Sequence, residues 1–362
     1  MVSIEEIITL RTLRTPKRAR TSSENASKYH DTTSNGLLSD YVQYIPPMAQ
    51  DGRSGIRELK TREESAVFFL LSTLSISARA IRSRVIYQSP TSLENIAVRN
   101  TSHLLLTSAA SPTLFTLDPT TTNGTLDSVH TFPNATGLLG ITEYRPGVFA
   151  LVASILNVTT RRAEPGSIAI WNVDFNAKNP VVRILAAVPE ALLGNGLTVF
   201  PGDTGILLLG DSDPSMQFTV PNGGGINGLH VQGDYLHFTN SDQSTFSRVA
   251  LTAHDGNVAA AGVVQTLATI QTGTPDDFAL DKQGRAWVTV HPGALTLLSP
   301  PGGLNHTGTW SQVTVAGNAE GTDAGLNQPT SAAFGRGDVV QEQILYVTTE
   351  AGQLVAVDTR SI

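Results

Sequence analysis

From residue 81 to residue 362, short apolar runs alternate with turns that are rich in Gly, Asn and Asp. The clearest stretch, residues 225–251, predicts a turn at Ile226-Asn227-Gly228 and strands at Leu229–Val231, Tyr235–Thr239 and Phe246–Leu251. Runs of this length, separated by turn residues, are typical of β-hairpins. The same unit returns along the chain, and its recurrence predicts a fold built from repeats.

Six copies of this unit can be aligned, each opening just before an apolar run. Their anchor positions are Asn95, Gly140, Asn195, Asn227, Asp276 and Pro329. A repeat of about 40–50 residues with about four strands is the signature of a β-propeller. We therefore predict an all-β, six-bladed β-propeller over residues 81–362.

The last repeat offers only three strands, at Ser331–Phe334, Ile344–Thr349 and Leu354–Val357. A strand-like run at 84–87 precedes the first repeat and belongs to none of the six. We predict that it pairs with the last blade as its outer strand, because this pairing covers an open sheet edge and joins the two ends of the ring.

Residues 1–64 show no lasting periodicity, and we interpret them as a disordered extension or an artefact of the gene model. Ala66–Ala78 carries no charge and has the length of a signal-peptide core rather than of a membrane span. Ala78-Arg79-Ala80 fits a cleavage site, and initiation at Met48 would bring this leader to a chain start. Segment 65–80 is therefore predicted to be a signal peptide, with a buried apolar segment as the alternative.

Five N-x-[ST] sequons within residues 81–362 support this interpretation, since they become glycosylation sites in the secretory pathway. They are Asn100, Asn123, Asn134, Asn157 and Asn305. We accordingly expect the protein in the secretory pathway or secreted, with a mature chain that begins near Ile81.

The distribution of charge argues against some partners. The net charge is −7, and the first 80 residues hold 11 Lys+Arg and 9 Asp+Glu, leaving 13 and 22 for residues 81–362. The excess of acidic residues in 81–362 argues against nucleic acid as a binding partner. The absence of cysteine excludes disulfides, a thiol nucleophile and Cys-ligated zinc. We expect a monomer that binds small apolar substrates, with no nucleic acid and no membrane after leader cleavage.

Three phrases carry a family resemblance: GINGLHVQGDYLHFTNSDQ at 225–243, PDDFALDKQGRAWVTVHPG at 275–293 and NQPTSAAFGRGD at 327–338. They resemble the six-bladed propellers of the SMP-30/gluconolactonase superfamily, and within it a secreted fungal branch. Inside that branch the chain is similar to the hetero-Diels–Alderases of tropolone–sesquiterpenoid biosynthesis.

The superfamily resemblance implies a divalent cation, usually Ca²⁺, on the propeller axis. The matching ligand positions are Glu94, Asn195, Asn227 and Asp276. All four are oxygen donors of the kind that a hard cation prefers. The first motif departs from the family pattern Glu-Gly-Pro, since this chain has Glu94-Asn95-Ile96. The same residues have an ordinary alternative, because Asn-Gly is a turn signal and the acids can be solvated or capping charges.

Further candidate residues lie near the same predicted pore mouth. Asp276 is the candidate general base, and His291 is the best of the histidines, because His230 and His237 lie on strands where packing is the commoner role. Asn195, Asn227, Asp277 and Thr198 are candidate substrate-binding residues.

Three function classes remain open. The first is a hetero-Diels–Alderase that joins a tropolone quinone methide to a sesquiterpene such as humulene, which requires an apolar cavity and no cofactor. The second is a calcium-dependent lactonase or esterase that uses the axial quartet to polarise a carbonyl or activate water. The third is a propeller that binds a ligand without catalysis.

Overall fold

The structure is a computed structural model that describes residues 11–14 and most of 81–362. The residues of the second range that it leaves out are 122–123, 158, 190, 192, 201–205, 210–215, 218, 220–223, 255–256, 303–307 and 322–324. The predicted signal-peptide core, the start at Met48 and the cleavage site therefore lie outside the described residues. The described strands belong to one of two compact units of the chain, the one that comprises Met1–Pro16 and Arg79–Ile362.

The described strands form seven sheets, of which six are the blades of a propeller and the seventh is a separate two-stranded hairpin. Two strands, β1 (Arg11–Arg14) and β2 (Arg82–Gln88), precede the first blade in the sequence. Blade 1 contains β3 (Ile96–Val98), β4 (Leu104–Ser108), β5 (Ser111–Leu117) and β6 (Asp127–Thr131). Blade 2 contains β7 (Gly137–Arg145), β8 (Val148–Ser154), β11 (Ala169–Asp174) and β12 (Val181–Ala187), with a separate hairpin of β9 (Leu156–Asn157) and β10 (Arg162–Ala163). Blade 3 contains β13 (Leu197–Val199), β14 (Ile206–Leu209) and β1.

The second half of the ring repeats this arrangement. Blade 4 contains β15 (Ile226–Gln232), β16 (Tyr235–Asn240) and β17 (Thr245–His254), and the last of these pairs with both β18 (Asn257–Ala260) and β19 (Gln265–Thr269). Blade 5 contains β20 (Thr274–Leu280), β21 (Ala286–His291), β22 (Ala294–Ser299) and β23 (Ser311–Gly317). Blade 6 contains β24 (Pro329–Phe334), β25 (Ile344–Thr349), β26 (Gln353–Asp358) and β2. Two short 3-10 helices, Gln341–Gln343 and Thr359–Ser361, are the helices of the described part, and neither is long and apolar enough to cross a membrane.

The ring closes where the sequence predicts. β2 pairs antiparallel with β26, with Ser83 opposite Val357 and Val85 opposite Val355, so a strand from the start of the ring completes blade 6. The inner strands β3, β7, β13, β15, β20 and β24 contact one another in that order, and β24 contacts β3. The prediction of an all-β propeller closed by the strand at 84–87 is confirmed.

A second N-terminal strand was not expected from the sequence. β1 pairs antiparallel with β14, with Arg11 opposite Leu209 and Arg14 opposite Ile206. For these four residues the structure has a strand where the sequence analysis assigned no regular structure. Cleavage near Ile81 would remove β1 from the mature chain. The strand therefore covers the edge of blade 3 only in a chain that has not been cleaved there.

The described residues form six apolar clusters, and five of them combine side chains of two consecutive blades. Between blades 4 and 5, for example, Phe246 meets Phe278 edge-on at 5.0 Å between ring centroids. Between blades 6 and 1, Tyr346 and Leu354 pack with Leu104. Since both faces of a blade are covered by its neighbours, a blade by itself would leave much of its apolar surface in water.

Glycine permits the close approach of the inner strands. A Cβ at Gly196 would lie 2.4 Å from the carbonyl oxygen of Asn227, and one at Gly228 would lie 2.2 Å from Asp277 Oδ1. The prediction of a turn at Ile226-Asn227-Gly228 is wrong, because these residues belong to β15. The pairing of β15 with β16 shifts register between Ile226 and Leu229. This Asn-Gly pair marks a bulge that lets the next blade approach, which turn statistics cannot distinguish from a hairpin.

Threonine hydroxyls on the second strands of blades 4, 5 and 6 bind carbonyl oxygens of the following blade. Thr239 donates to Asp276 O at 2.5 Å. Thr289 donates to Thr330 O at 2.9 Å, and Thr348 donates to Glu94 O at 2.7 Å. Each bond fixes the backbone at or next to the inner-strand position that faces the axis.

His237 generates a prediction about stability. Its ring is 1% exposed and stacked on Phe246 at 5.9 Å, and neither ring nitrogen has a hydrogen-bond partner among the described residues. Burial, and then the charge of Arg248, lowers the pKa of His237 to about 3. Below about pH 6.5 the unfolded chain therefore binds a proton at His237 that the folded chain does not bind. As the pH decreases from about 6.5 to about 3, the free energy of unfolding falls by about 1.4 kcal/mol per pH unit.

We expect the His237→Phe variant to lose this dependence. Denaturant unfolding of both proteins at pH 7 and pH 5 should show a pH-dependent loss that is about 2 kcal/mol larger in the parent protein. Equal losses in the two proteins would show that His237 is not the group responsible.

Candidate functional site

All six blades contribute to one cavity where their inner strands meet. Its volume is about 340 Å³, which lies at the lower end of the roughly 300–1,000 Å³ that is usual for small-molecule sites. Its lining consists of Ser92, Glu94, Ala109, Ala110, Leu139, Leu156, Arg161, Leu193, Asn195, Gly224, Asn227, Asp276, Gln328 and Glu350. The four sequence-predicted axial residues are all in this set.

The cavity wall is divided into two chemically different parts. An apolar lobe comes from blade 1, blade 2 and the segment that leads into blade 3, and its members are Ala109, Ala110, Leu139, Leu156 and Leu193. Leu139 precedes Gly140 as Asn195 precedes Gly196 and Asn227 precedes Gly228, so blade 2 has a leucine where blades 3 and 4 have an amide. The rest of the wall, built by the other blades, is polar.

A chain of amides connects the polar residues. Asn195 Nδ2 donates to Glu94 Oε1 at 3.3 Å and to Asn227 Oδ1 at 2.6 Å. Asn95 Nδ2 donates to Asn195 Oδ1 at 3.0 Å. Asn227 Nδ2 donates to Ser241 Oγ at 3.1 Å, which continues the chain into blade 4. Asn95, the departure from the family motif, is thus a member of the site that the sequence analysis did not assign.

The two adjacent aspartates of blade 5 have different environments. Asp276 lines the cavity, and its Oδ2 lies 3.0 Å from Nε2 of His291. Asp277 points elsewhere, accepts from Ser331 at 2.6 Å, and lies 2.9 Å from Nε2 of His230. Asp277 therefore joins blades 4, 5 and 6 and does not line the cavity.

Two further candidates can be placed. Thr198 is 5% exposed and does not line the cavity. His237 is buried between blades 4 and 5, away from this set of lining residues.

Burial and crowding dominate the electrostatics of the polar wall. Burial raises the pKa of Glu94 well above its usual value, and the charges of Asp276 and Glu350 raise it further. Burial also raises the pKa of Asp276, against the lowering effect of its hydrogen bond to His291. Burial alone would lower the pKa of His291, but its hydrogen bond to Asp276 and the charge of that carboxylate raise it overall. These directions favour a charged His291 beside Asp276 and a protonated Glu94.

Glu350 and Arg161 are lining residues that the sequence analysis missed. Glu350 stands two residues after Thr348, as Ser241 follows Thr239 and His291 follows Thr289, so aligning these threonines would have identified it. Arg161 belongs to the β9–β10 hairpin, which has no counterpart in the repeat. No repeat-based comparison could therefore have indicated it.

The fit of a cation can be judged from the donors present. Among the described residues no group of three or more His, Cys, Asp or Glu side chains is placed to share a metal ion. The predicted quartet Glu94, Asn195, Asn227 and Asp276 supplies two carboxylates and two amide oxygens, all suitable for Ca²⁺, and a cation would relieve the crowding of the acids. Each amide oxygen already accepts from a neighbouring amide nitrogen. The axial metal stays a prediction.

The sequons can be placed only in part. Asn100, Asn134 and Asn157 are exposed. Asn123 and Asn305 lie outside the described residues. Glycosylation at these positions stays a prediction.

No family model matches the chain. A provisionally named hetero-Diels-Alderase of Sarocladium schorii is 24% identical over 320 residues, which span 74% of this chain and 77% of that protein. The PQQ-bound aldose sugar dehydrogenase of Streptomyces coelicolor superposes with a TM-score of 0.51 and 14% identity, over 77% of this chain and 97% of that one.

A calcium-binding regucalcin of Agrobacterium tumefaciens superposes with a TM-score of 0.41 and 17% identity, over 77% and 96% of the two chains. The chain is thus similar to a hetero-Diels-Alderase in sequence and to propeller proteins in fold, and the resemblance recognised from the sequence is confirmed at that level.

The amide chain generates a prediction. Asn195→Ala would leave buried polar atoms of Glu94, Asn95 and Asn227 without their partner. Because one unsatisfied buried group costs about 1–3 kcal/mol, we expect a loss of at least about 2 kcal/mol in the free energy of unfolding. Asn176→Ala is the matched control, since the Asn176 side chain donates to Pro146 O at an exposed site, and it should change stability by less than about 0.5 kcal/mol. Equal effects of the two variants would contradict the assignment of Asn195 as the centre of this network.

Proposed function

We propose that the chain is a hetero-Diels–Alderase that joins a reactive tropolone quinone methide to a sesquiterpene such as humulene inside the axial cavity. The observation that carries this proposal is the sequence similarity to a hetero-Diels-Alderase, which extends over 74% of the chain. The division of the cavity into an apolar lobe and a polar wall supports it, because the two reactants differ in the same way.

The proposed reaction balances without a co-reactant. The C=C–C=O unit of the quinone methide is a heterodiene, and one C=C bond of the terpene is its partner. One C–C bond and one C–O bond form, three π bonds become one, and no atom, proton or electron leaves. The protein therefore has to bind both molecules in reacting geometry rather than to supply a nucleophile or a redox group.

The two parts of the cavity can bind the two partners. Leu139, Leu156 and Leu193 provide the apolar contact that a terpene hydrocarbon requires, since its transfer from water is favourable. The polar wall can bind the oxygens of the quinone methide, whose carbonyl oxygen gains negative charge as the bonds form. Holding both partners in this way replaces a bimolecular encounter with a reaction inside one complex, which can remove several kcal/mol from the barrier.

A calcium-dependent lactonase or esterase is the alternative, and one observation favours it. Glu94 and Asp276 bring two buried carboxylates to the same cavity as the amides of Asn195 and Asn227. When bound, Ca²⁺ would supply Lewis-acid polarisation of a lactone carbonyl. Asp276 would be needed as a ligand and the Asp276–His291 pair as the base, so this function depends on single polar residues.

We expect cycloaddition to depend on the space in the cavity more than on Asp276. Ala110→Trp would fill the cavity from the turn between β4 and β5, and we expect cycloadduct formation to fall by about a hundredfold, because misplacement by about 1 Å has such an effect. Ala351→Trp is the matched control: Ala351 is also an exposed alanine, at the equivalent turn of blade 6, and it does not line the cavity. Asp276→Asn should retain cycloaddition within about tenfold.

Both reactions should be assayed for every variant, with and without a calcium chelator. Cycloaddition that survives Ala351→Trp, Asp276→Asn and the chelator but is lost in Ala110→Trp would support the proposal. Lactone hydrolysis that is lost in Asp276→Asn or with the chelator, without cycloadduct from any variant, would overturn it in favour of the hydrolase.

A further inference from the structure

Blade 2 differs from its neighbours in the connection between its second and third strands. In blades 1, 4, 5 and 6 the corresponding strands are separated by tight turns, whereas β8 ends at Ser154 and β11 begins at Ala169. The β9–β10 hairpin lies within this longer connection. It brings Leu156 and Arg161 to the lining of the axial cavity.

Arg161 has an unusual backbone and an unengaged side chain. Its φ is 52°, in the left-handed region that residues other than Gly adopt infrequently, and the residue is exposed at the hairpin turn. Its guanidinium makes no hydrogen bond or ion pair with any residue that the structure describes. Its charge nevertheless acts on Glu94 and His291, so it lies close to the polar wall.

A guanidinium that lines a cavity and has no partner among the described residues is suited to a particular kind of ligand. Arg presents parallel N–H donors in a rigid plane, which match two adjacent oxygen atoms better than the point charge of Lys does. The other ionisable residues of the lining are the acids Glu94, Asp276 and Glu350, which do not attract an anionic oxygen in either protonation state. Arg161 is therefore the lining residue best placed to bind such an oxygen, and Leu139 and Leu156 of the same blade offer an apolar surface beside it.

We propose that Arg161 binds the two vicinal oxygens of a tropolone-type ring and thereby fixes which way this partner lies in the cavity. This inference rests on the proposed function, because it names the residue that positions one of the two reactants. A ring held at its oxygens presents its heterodiene in one orientation to the apolar lobe. Arg161 therefore sets the isomer of the product as well as the affinity for the oxygenated partner.

Tropolone itself is the probe, since it has the two vicinal oxygens and undergoes no cycloaddition. Its dissociation constant can be measured by calorimetry with the full chain. Arg161→Asn removes the charge with a residue that tolerates left-handed backbone, and Arg161→Lys keeps the charge without the planar fork. Arg183→Ala, on the outer strand of the same blade and outside the cavity, is the matched control for charge.

We expect Arg161→Asn to weaken tropolone binding by about tenfold or more, the loss expected for a charge-assisted hydrogen bond, and Arg183→Ala to leave it unchanged. Arg161→Lys should restore the affinity only in part, and the ratio of cycloadduct isomers should shift in both Arg161 variants. Equal unfolding temperatures would show that the variants are folded.

Unchanged affinity in Arg161→Asn, or full restoration by Arg161→Lys, would overturn the two-point contact even where cycloaddition persists. Failure of the unmodified chain to bind tropolone would also overturn it, while the separate assay of cycloadduct formation decides the proposed function.

Discussion

The geometry of the site depends on hydroxyl–carbonyl hydrogen bonds between consecutive blades. Thr239 and Thr348 donate to the carbonyl oxygens of Asp276 and Glu94, the residues whose side chains form the acidic part of the cavity. Because these bonds are buried, water does not compete for them. They therefore fix the position of each inner strand relative to the strand of the neighbouring blade. The same device operates at Thr289, so three consecutive junctions on one side of the ring are fixed in this way.

The opposite side of the ring is built differently, and this difference gives the cavity its polarity. Blade 2 has Val152 where the second strands of blades 1, 4, 5 and 6 have threonine, and Leu139 where blades 3, 4 and 5 have an amide or an acid. The hairpin that follows β8 adds Leu156 and Arg161 to the same sector. The cavity thus has an apolar sector opposite a polar, hydrogen-bonded one. Such an arrangement orients a ligand that has one apolar part and one oxygenated part. A hydrolase needs only the polar sector, whereas a cycloaddition catalyst for two unlike partners uses both.

Hydrophobic periodicity predicted the blades, and the unassigned strand at 84–87 predicted the closure, because both follow from the need to cover sheet faces and edges. The resemblance to the SMP-30/gluconolactonase superfamily implied that Glu94, Asn195, Asn227 and Asp276 converge, and the structure places all four around one cavity. It did not predict the different directions of Asp276 and Asp277, which depend on the shift of register between Pro275 and Phe278.

Features without a counterpart in the repeat were not predictable from it. The β9–β10 hairpin and the pairing of β1 with β14 are single events in the chain, so no periodic signal marks them. Gly228 was interpreted as a turn residue because its role, admitting the carboxylate of Asp277, depends on a contact 49 positions further along the chain. Such long-range contacts carry no local sequence signature.

A crystal structure of the protein with a stable cycloadduct would show whether the axial cavity binds both reactants. We expect the hydrocarbon part of the adduct to contact Leu139 and Leu156 and its oxygens to face the polar side of the cavity. An adduct bound outside the axial cavity would contradict this expectation, as would a Ca²⁺ ion that fills the space between Glu94 and Asp276 and leaves no room for the adduct.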